Sequence, residues 1–314
     1  MTKELEFTGE RFTPECVREI WYEHVHRYAF AAPLVAGKRV LDAACGEGYG
    51  SALLATTAAS VDGVDVAAEA VDHARARYAG VQNLEFHRSD VTGLPFPDDH
   101  FEAIVSFETL EHLEAQDAML SEFRRVLRDD GVLLISSPDR AVYSDQYGND
   151  NEFHVRELYR EELEALLARH FPAVRLLGQK LLFHSAIWQL DRVRSVSLQQ
   201  GDSGRVGQVA TPSQAAMYFL AFCASRAEVL PELDADLQLF DDADESVYAH
   251  YHGEIRRNMA AGGIIAERDA EIARLKTELE RALSPRSMTV EQEKRLATAE
   301  RPGWWRRLFH RGGA

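Results

Sequence analysis

A glycine-rich segment at residues 40–50 has the residue types expected of a ligand-binding loop. The run VLDAACGEGYG places Asp42 in an apolar stretch and follows it with Gly46, Gly48 and Gly50. Glycine lets a backbone approach a ligand closely. The spacing G-x-G-x-G differs from the G-x-G-x-x-G of dinucleotide folds, and Asp42 would repel a pyrophosphate but attract a cationic amino group. The segment therefore favours S-adenosylmethionine (SAM) over NAD.

Two further acidic residues follow later apolar runs in the same way. Asp65 lies 23 residues after Asp42 in GVDV, and Asp90 ends the run NLEFHRSD. Carboxylates accept hydrogen bonds well from paired hydroxyls. The alternative for each acid is a helix cap or a turn at the end of a strand. Three acids after three successive strands nevertheless favour a shared ligand site.

A third group of candidates carries metal-ligating and basic side chains. If a helix begins within SFETLEHL, then Glu108, Glu111 and His112 share one helical face, and one face can hold one ion. His154, in NEFHVRE, is a further ligand or a general base. An imidazole can take a proton from a hydroxyl near neutral pH, which makes His112 and His154 the candidate catalytic bases. Each histidine alone can equally be a structural residue.

Strands and helices must position these residues. From Lys38 onward, short apolar runs alternate with helical patterns, which predicts βαβ units with a parallel sheet. The predicted strands are KRVLDAA, SVDGVDV, NLEFHRSD, FEAIVSF and GVLLISSP. The predicted helices cover residues 51–58, 68–79, 115–127 and 156–170. Runs at 174–183 and 217–225 predict a final antiparallel pair with an insertion between them. The fold class is thus α/β, a Rossmann-like sheet of seven strands with a C-terminal helical extension.

The strand and loop VLDAACGEGYG, with acids after the next two strands, resembles the class I SAM-dependent methyltransferases. Ala44 stands where that family has its first glycine. The resemblance implies that Asp65 binds the ribose hydroxyls and that Asp90 and Val91 contact the adenine. The implied cofactor-binding residues are Arg27, Tyr28, Asp42, Ala44, Gly46, Gly48, Asp65, Val66, Asp90, Val91, Phe107 and Glu108.

The segments GERFTPE and EHVHRYAFA resemble the N-terminal cap of bacterial methyltransferases from glycan-biosynthesis clusters. This resemblance implies that Arg11, Arg27 and Tyr28 close over the methionine end of SAM, with Arg27 pairing with its carboxylate. A structural salt bridge is the alternative for Arg27.

The E-x-x-E-H pattern is similar to that of methyltransferases that use Mg²⁺, including small-RNA 2′-O-methyltransferases and a ubiquinone-pathway enzyme. The implied metal ligands are Glu108, Glu111, His112 and His154. Histidine is not the preferred partner of Mg²⁺, and family members without a metal share the E-H-L triplet.

The resemblance also implies a function. We expect O-methylation of a sugar hydroxyl in surface-polysaccharide or glycoconjugate biosynthesis, on a small-molecule or glycan acceptor. Methylation of a quinone, polyketide or other secondary metabolite is one alternative. A noncatalytic SAM-binding scaffold is another.

Composition narrows the classes of partner and compartment. The net charge of −16 over 314 residues argues against nucleic acid, because phosphate binding relies on Lys and Arg clusters. Three cysteines form no metal-like pair, so a disulfide framework is not expected. The chain shows neither a signal-peptide pattern nor an apolar run long enough to span a membrane. We therefore expect a cytoplasmic protein.

The C-terminal third has its own patterns. Ile265, Ile272 and Leu279 repeat every seven residues, which predicts a short coiled coil and a homo-oligomer, or else a single helix packed on the domain. The tail RPGWWRRLFHRGGA mixes tryptophan and arginine, which suits the inner face of a membrane or a glycan-assembly partner; a disordered basic end is the alternative. The predicted organisation is a cap (1–37), a methyltransferase domain (38–226, insertion about 184–215), an acidic helical linker (227–263), a coiled coil (264–283) and a basic aromatic tail (284–314). Within the linker, the acidic residues 228–245 fit an amphipathic helix or a connector.

Overall fold

The computed structural model describes residues 19–149, 151–187, 189, 195–202 and 205–283, with the isolated positions 292, 294, 295 and 297. The chain divides into two compact units after Ser246. The helices are α1 (Glu19–Leu34), α2 (Tyr49–Leu54), α3 (Ala68–Arg77), α4 (Gln116–Val126), α5 (Arg160–His170) and α6 (Ser246–Leu283). The strands are β1 (Arg39–Ala43), β2 (Ser60–Asp65), β3 (Leu84–Arg88), β4 (Phe101–Ser106), β5 (Leu127–Pro138), β6 (Ala173–Gln179), β7 (Leu198–Asp202), β8 (Arg205–Val209) and β9 (Tyr218–Ala224).

Seven of the described strands form one sheet in the order β3-β2-β1-β4-β5-β9-β6. Strand β9 is antiparallel to both neighbours, and the pairings among β3, β2, β1, β4 and β5 are parallel. The chain order reverses between β1 and β4, and such a switch point leaves a crevice at the carboxyl ends of the strands. The glycine-rich segment follows β1, so it lies at this crevice.

Both faces of the sheet are covered, because alternate strand residues point to opposite sides. Leu41 and Ile104 face a cluster that includes Phe123 of α4 and Leu167 of α5. Their strand neighbours belong to a second cluster, which includes Ala31 of α1, Leu54 of α2 and Val71 of α3. A sheet buried on both faces is rigid, and it fixes the loops at its carboxyl edge.

The structure confirms the predicted α/β fold and the antiparallel final pair with its insertion. Each predicted strand lies within a few residues of an observed one, because continuous apolar runs are what a two-sided parallel sheet requires. One helix starts four residues later than predicted. The helix predicted from residue 156 begins at Arg160, and the insertion contains a separate hairpin of β7 and β8.

The predicted acidic helix of the linker is wrong over residues 230–245, where the described chain is irregular. Leu230 and Leu233 instead pack against the second core cluster. The Phe240 ring lies 5.6 Å from the Trp21 ring and 5.3 Å from the His26 ring of α1, centroid to centroid. The acidic segment therefore belongs to the first compact unit, which ends at Ser246 rather than near Arg226.

In the second unit, α6 is one continuous helix of 38 residues, so it begins well before the coiled coil predicted from residue 264. None of the helices in the described part of the chain is both long and apolar enough to cross a membrane. Residues 301–314 and Arg11 lie outside the described residues, and their predicted roles stay predictions.

Candidate active site

The loop after β1 turns through three residues with positive φ: Ala44 (60°), Gly46 (56°) and Gly48 (88°). Only glycine adopts this region without strain, and a residue with a Cβ pays about 1–2 kcal/mol there. Ala44 therefore holds a strained conformation where the resembling family has glycine. Strain of this kind persists where the surrounding structure fixes it, typically at functional sites.

Asp65, at the end of β2, is tied to this loop. Its Oδ2 accepts the Gly46 N–H at 2.9 Å, and its Oδ1 accepts the Ala67 N–H at 2.9 Å. Each carboxylate oxygen can accept a second hydrogen bond, so this geometry allows ribose hydroxyls to bind as predicted. Val66, the next residue, is 65% exposed.

Asp42 is fully buried beneath the loop. Its Oδ1 accepts the Tyr28 hydroxyl at 3.1 Å, and its Oδ2 accepts the Ser51 hydroxyl at 2.6 Å. Burial raises the pKa of Asp42 to about 6, although both hydrogen bonds oppose the shift. Asp42 thus joins the cap helix α1 to the start of α2, and its predicted contact with the cofactor amino group stays a prediction.

Arg27 of α1 is 1% exposed, yet it is only partly paired. Its Nε donates to Oε1 of Gln179 at 2.7 Å, and its guanidinium lies 4.6 Å from the centroid of the Tyr218 ring. Its Nη1 is 3.4 Å from Oε1 of Glu108. Neither Nη atom has a hydrogen-bond partner among the described residues. Buried polar atoms are normally paired, so this guanidinium fits a carboxylate ligand such as the methionine end of SAM.

Glu108 follows β4 and also has a positive φ, 51°. Its N–H donates to the Ser136 hydroxyl at 3.0 Å, and the same hydroxyl donates to Glu108 Oε1 at 2.6 Å. Its neighbour Phe107 is buried and meets the Tyr28 ring edge-on at 5.1 Å. The two residues therefore line the same crevice as Arg27.

Asp90 and Val91 lie beyond the end of β3. Asp90 Oδ1 accepts hydrogen bonds from the backbone N–H and the hydroxyl of Thr92, at 2.8 and 2.7 Å. This is the turn-stabilising role that the sequence left as the alternative. Val91 is buried. The adenine contacts of this pair stay a prediction.

The predicted helical face of Glu108, Glu111 and His112 is wrong. Glu108 lies outside any helix, and Leu110–His112 form a single 3-10 turn. A positive φ at Glu108 cannot continue a right-handed helix, so the chain redirects its side chain toward Arg27 and Ser136. Three of the four predicted metal ligands do come together: one donor atom each of Glu111, His112 and His154 lies within 4.8 Å of the others.

Hydrogen bonds fix the orientation of both histidines. Nδ1 of His112 lies 2.9 Å from the Phe153 carbonyl oxygen, and Nδ1 of His154 lies 2.5 Å from Oε1 of Glu157. A carbonyl only accepts, so His112 Nδ1 carries the proton; an ionised Glu157 imposes the same on His154. In the neutral rings, both Nε2 atoms are then acceptors.

Glu111 lies beside these rings, and both of its carboxyl oxygens are buried without a hydrogen-bond partner in the described part of the chain. Burial, with the charge of Glu108 nearby, raises the pKa of Glu111 well above its usual range. One carboxylate and two imidazoles make a nitrogen-rich donor set. Mg²⁺ prefers oxygen ligands, so these residues fit Mg²⁺ poorly and a transition metal better.

A series of aromatic contacts, here called the polar wall, links the histidines to Arg27. The Tyr143 ring lies 5.3 Å from the His154 ring and 5.9 Å from the Tyr218 ring that Arg27 covers. Residues that the sequence did not point to complete this wall: Ser136, Tyr143, Gln179 and Tyr218. Glu157 had one local signal, its position three residues after His154.

Comparison with known proteins gives the family. Residues 41–135 match a family described as "Methyltransferase domain". A "Probable S-adenosylmethionine-dependent methyltransferase" of Mycobacterium tuberculosis H37Rv is 34% identical over 254 residues, covering 79% of this chain and 84% of that protein. A similarly described protein of Mycolicibacterium smegmatis is 41% identical over 188 residues, covering 58% of this chain and 70% of that one.

Among solved structures, the YcgJ protein from Bacillus subtilis has a TM-score of 0.45 and 27% identity, and the match covers 49% of this chain and 71% of that one. The family rests on the mycobacterial relative, whose similarity spans most of both chains. This chain belongs to the S-adenosylmethionine-dependent methyltransferases, and its cofactor is S-adenosylmethionine.

Proposed function

We propose that this methyltransferase O-methylates a sugar hydroxyl of a glycan acceptor in surface-polysaccharide or glycoconjugate assembly. The observation that carries the proposal is the polar wall beside the cofactor pocket. There, two imidazoles present Nε2 as a proton acceptor, and Nε2 of His112 lies 3.9 Å from Oε1 of the fully buried Glu111. Such groups suit an acceptor rich in hydroxyls.

SAM supplies an electrophilic methyl carbon on a sulfonium. With SAM bound, this methyl carbon would be transferred to an acceptor hydroxyl oxygen with the thioether as leaving group, and His154 or His112 would take the hydroxyl proton. Glu157 Oε1 accepts a hydrogen bond from Nδ1–H of His154 and would stabilise the imidazolium that forms. Arg27 and Asp65 position the cofactor, and positioning supplies much of the acceleration in a transfer of this kind.

The test is to incubate the purified full chain with methyl-labelled SAM and separate cell-envelope glycan, lipid and quinone fractions, with and without EDTA. We expect label in glycan hydroxyls with or without EDTA. Label confined to lipids or quinones would overturn the glycan acceptor. No transfer to any fraction, with SAM still bound, would favour a noncatalytic scaffold.

Variants of the histidines test the base. On the labelled acceptor, His154→Gln or His112→Gln should lower kcat by roughly 100-fold or more, which is the usual worth of a general base. SAM affinity should not change. His170→Gln is the matched control, because His170 pairs with Asp117 on α4 and not with a residue of the wall. Full activity in both the His154 and the His112 variants would show that neither histidine is the general base. Asp65→Ala, which should not bind SAM, gives the background level of methyl transfer.

A further inference from the structure

Helix α6 exposes a regular apolar seam. Ile265, Ile272 and Leu279 are spaced seven residues apart, and their side chains are 59%, 49% and 58% exposed. Leu275, three residues after Ile272, is 49% exposed. In heptad terms these are three a positions and one d position, which together make a narrow stripe on one side of the helix.

The helix itself gives a reason to expect a partner for this seam. Gly262 and Gly263 lie side by side in its interior, with open space around both. Glycine is among the poorest helix formers, and most helical stability in proteins comes from packing an apolar face. The apolar face that begins directly after this pair is solvent-exposed in the described part of the chain.

The pattern of side chains identifies the occupant as a second copy. Isoleucine at a with leucine at d, as in Ile272 and Leu275, favours two parallel strands. In a parallel pair, each g residue faces the following e residue of the other helix. Glu271 at g then faces Lys276 of the second copy, twice by symmetry. An antiparallel pair would bring g positions together, and these include Glu271 and Glu278.

One position departs from an ideal seam. Arg268 occupies a d position, and it is exposed like its neighbours. In a parallel pair, a d side chain packs beside the e residue of the other helix, which is Asp269. The long arginine stem can cover apolar surface while its charge meets this carboxylate. Arg268 is therefore compatible with the seam.

We propose that residues 264–283 pair in register with the same segment of a second copy, as a parallel two-stranded coiled coil that makes the enzyme a dimer.

The first test measures the mass of the full chain by sedimentation. We expect a dimer at micromolar concentration, and Ile272→Glu should yield a monomer. Ala270→Glu, at an f position on the far side of the same helix, is the matched control and should stay dimeric. SAM binding by every variant verifies that the catalytic unit remains folded. A monomeric, trimeric or larger parent chain, or a dimer that survives Ile272→Glu, overturns the proposal.

A charge exchange tests the register. Glu271→Lys and Lys276→Glu each place like charges across the interface and should weaken the dimer roughly tenfold or more. The double variant, which restores opposite charges across the interface, should recover most of the parent affinity, since it lacks only the pair of Glu271 with Arg274 within one helix. Mixing the two single variants should yield mostly heterodimer, because that pairing is complementary at both sites. Equal weakening by the single and double variants, without preferential mixing, overturns the pairing.

Cysteine crosslinking tests the direction of the strands. In a Cys16→Ser background, Ile272→Cys should oxidise readily to a linked dimer, because the two a positions face each other in a parallel pair. Cys45 and Cys223 are buried and should not interfere. Thr277→Cys, at an f position, is the control and should crosslink poorly. Efficient crosslinking at Thr277→Cys but not at Ile272→Cys overturns the parallel arrangement.

Discussion

Arg27 is almost completely buried, and two of its guanidinium nitrogens have no hydrogen-bond partner among the described residues, although one of them forms an ion pair with Glu108. A buried charge is costly unless it is paired, and Glu108 approaches only one of these nitrogens, at 3.4 Å. A ligand carboxylate would satisfy both nitrogens in the fork geometry that arginine prefers. This explains why an arginine in a cap helix is held between Tyr218 and Gln179, rather than replaced by an apolar residue.

Arg27→Met should therefore weaken SAM binding by roughly 10- to 100-fold, which corresponds to the loss of charge-assisted hydrogen bonds. Calorimetry should show little change for 5′-methylthioadenosine, which has no carboxylate. Methionine keeps most of the buried volume, so the fold should survive. Arg160→Met, an exposed arginine paired with Glu164, is the control. An equal loss of both ligands would make Arg27 a purely structural residue.

Asp42 makes stability depend on pH. Its pKa is about 6 in the folded protein, above the value near 4 of an unfolded aspartate. The folded state thus binds the proton more tightly, and this contribution to stability is complete below pH 4 and lost as pH rises through 6. Two pKa units correspond to about 3 kcal/mol.

Urea unfolding of the SAM-free protein between pH 4 and 7 measures this effect. Asp42→Asn cannot ionise, so the free energy of unfolding of the variant should fall less with rising pH than that of the parent. Glu23, whose pKa burial raises to about 7, contributes with the same sign in both proteins and does not cancel the difference. Parallel pH profiles for the two proteins would contradict the buried carboxylate assignment.

Some candidate site residues can be found from a local sequence pattern, whereas others depend on contacts between positions far apart in the chain. Asp42, Asp65 and Asp90 are conspicuous in the sequence because each lies at or just past the end of an apolar strand, and parallel strands end at one edge of a sheet; their contacts with the cofactor stay predictions. Gln179 is not conspicuous, because its bond to Arg27 joins positions 152 residues apart and no local pattern encodes it. The prediction of a helix at Glu108 was wrong for a different reason. The spacing of Glu108, Glu111 and His112 fits a helix, but the positive φ of Glu108 is incompatible with a right-handed helix.

At the level of elements, the strands were the most predictable part because burial on both faces demands continuous apolar runs. A helix was wrongly predicted for the acidic segment because its leucines are interleaved with acids, as they are in an amphipathic helix. Pro231 lacks the N–H that a helix interior needs, and its carbonyl instead accepts a hydrogen bond from Arg175 of β6 at 2.6 Å. Packing of Leu230 and Leu233 on the core then fixes an irregular path.

The contact between α1 and α2 depends on Gly50. A Cβ at this position would lie 2.1 Å from the Tyr28 ring. Gly50→Ala should therefore lower the free energy of unfolding by about 1–3 kcal/mol and weaken SAM binding, since Tyr28 bonds Asp42. Gly80→Ala, where a Cβ meets no atom within 4 Å, is the matched control. Urea unfolding of both variants decides the matter, and equal stability would mean that the two helices do not approach so closely.

At the scale of the whole chain, the predicted cofactor residues and the predicted histidines all belong to the unit that ends at Ser246. The segment before α6 is rich in acids, because eight of the 51 acidic residues of the chain lie at residues 228–245. The sequence places the domain end near Arg226, where the last predicted strand ends and the composition changes. The observed unit ends later, at Ser246, because the acidic segment packs on the first unit through its apolar residues. The acidic composition of the segment does not reveal this packing.

Truncation distinguishes these two boundaries. A chain ending at Ser246 should bind SAM within about twofold of the full chain, because it keeps the cofactor residues and the docked segment. A chain ending at Arg226 loses the packing of Leu230, Leu233 and Phe240 and should be less stable by about 2–4 kcal/mol. Calorimetry and urea unfolding measure both quantities. Equal stability of the two truncated chains would favour a domain boundary near Arg226. Loss of SAM binding in the longer truncated chain would show that the cofactor site needs the second unit.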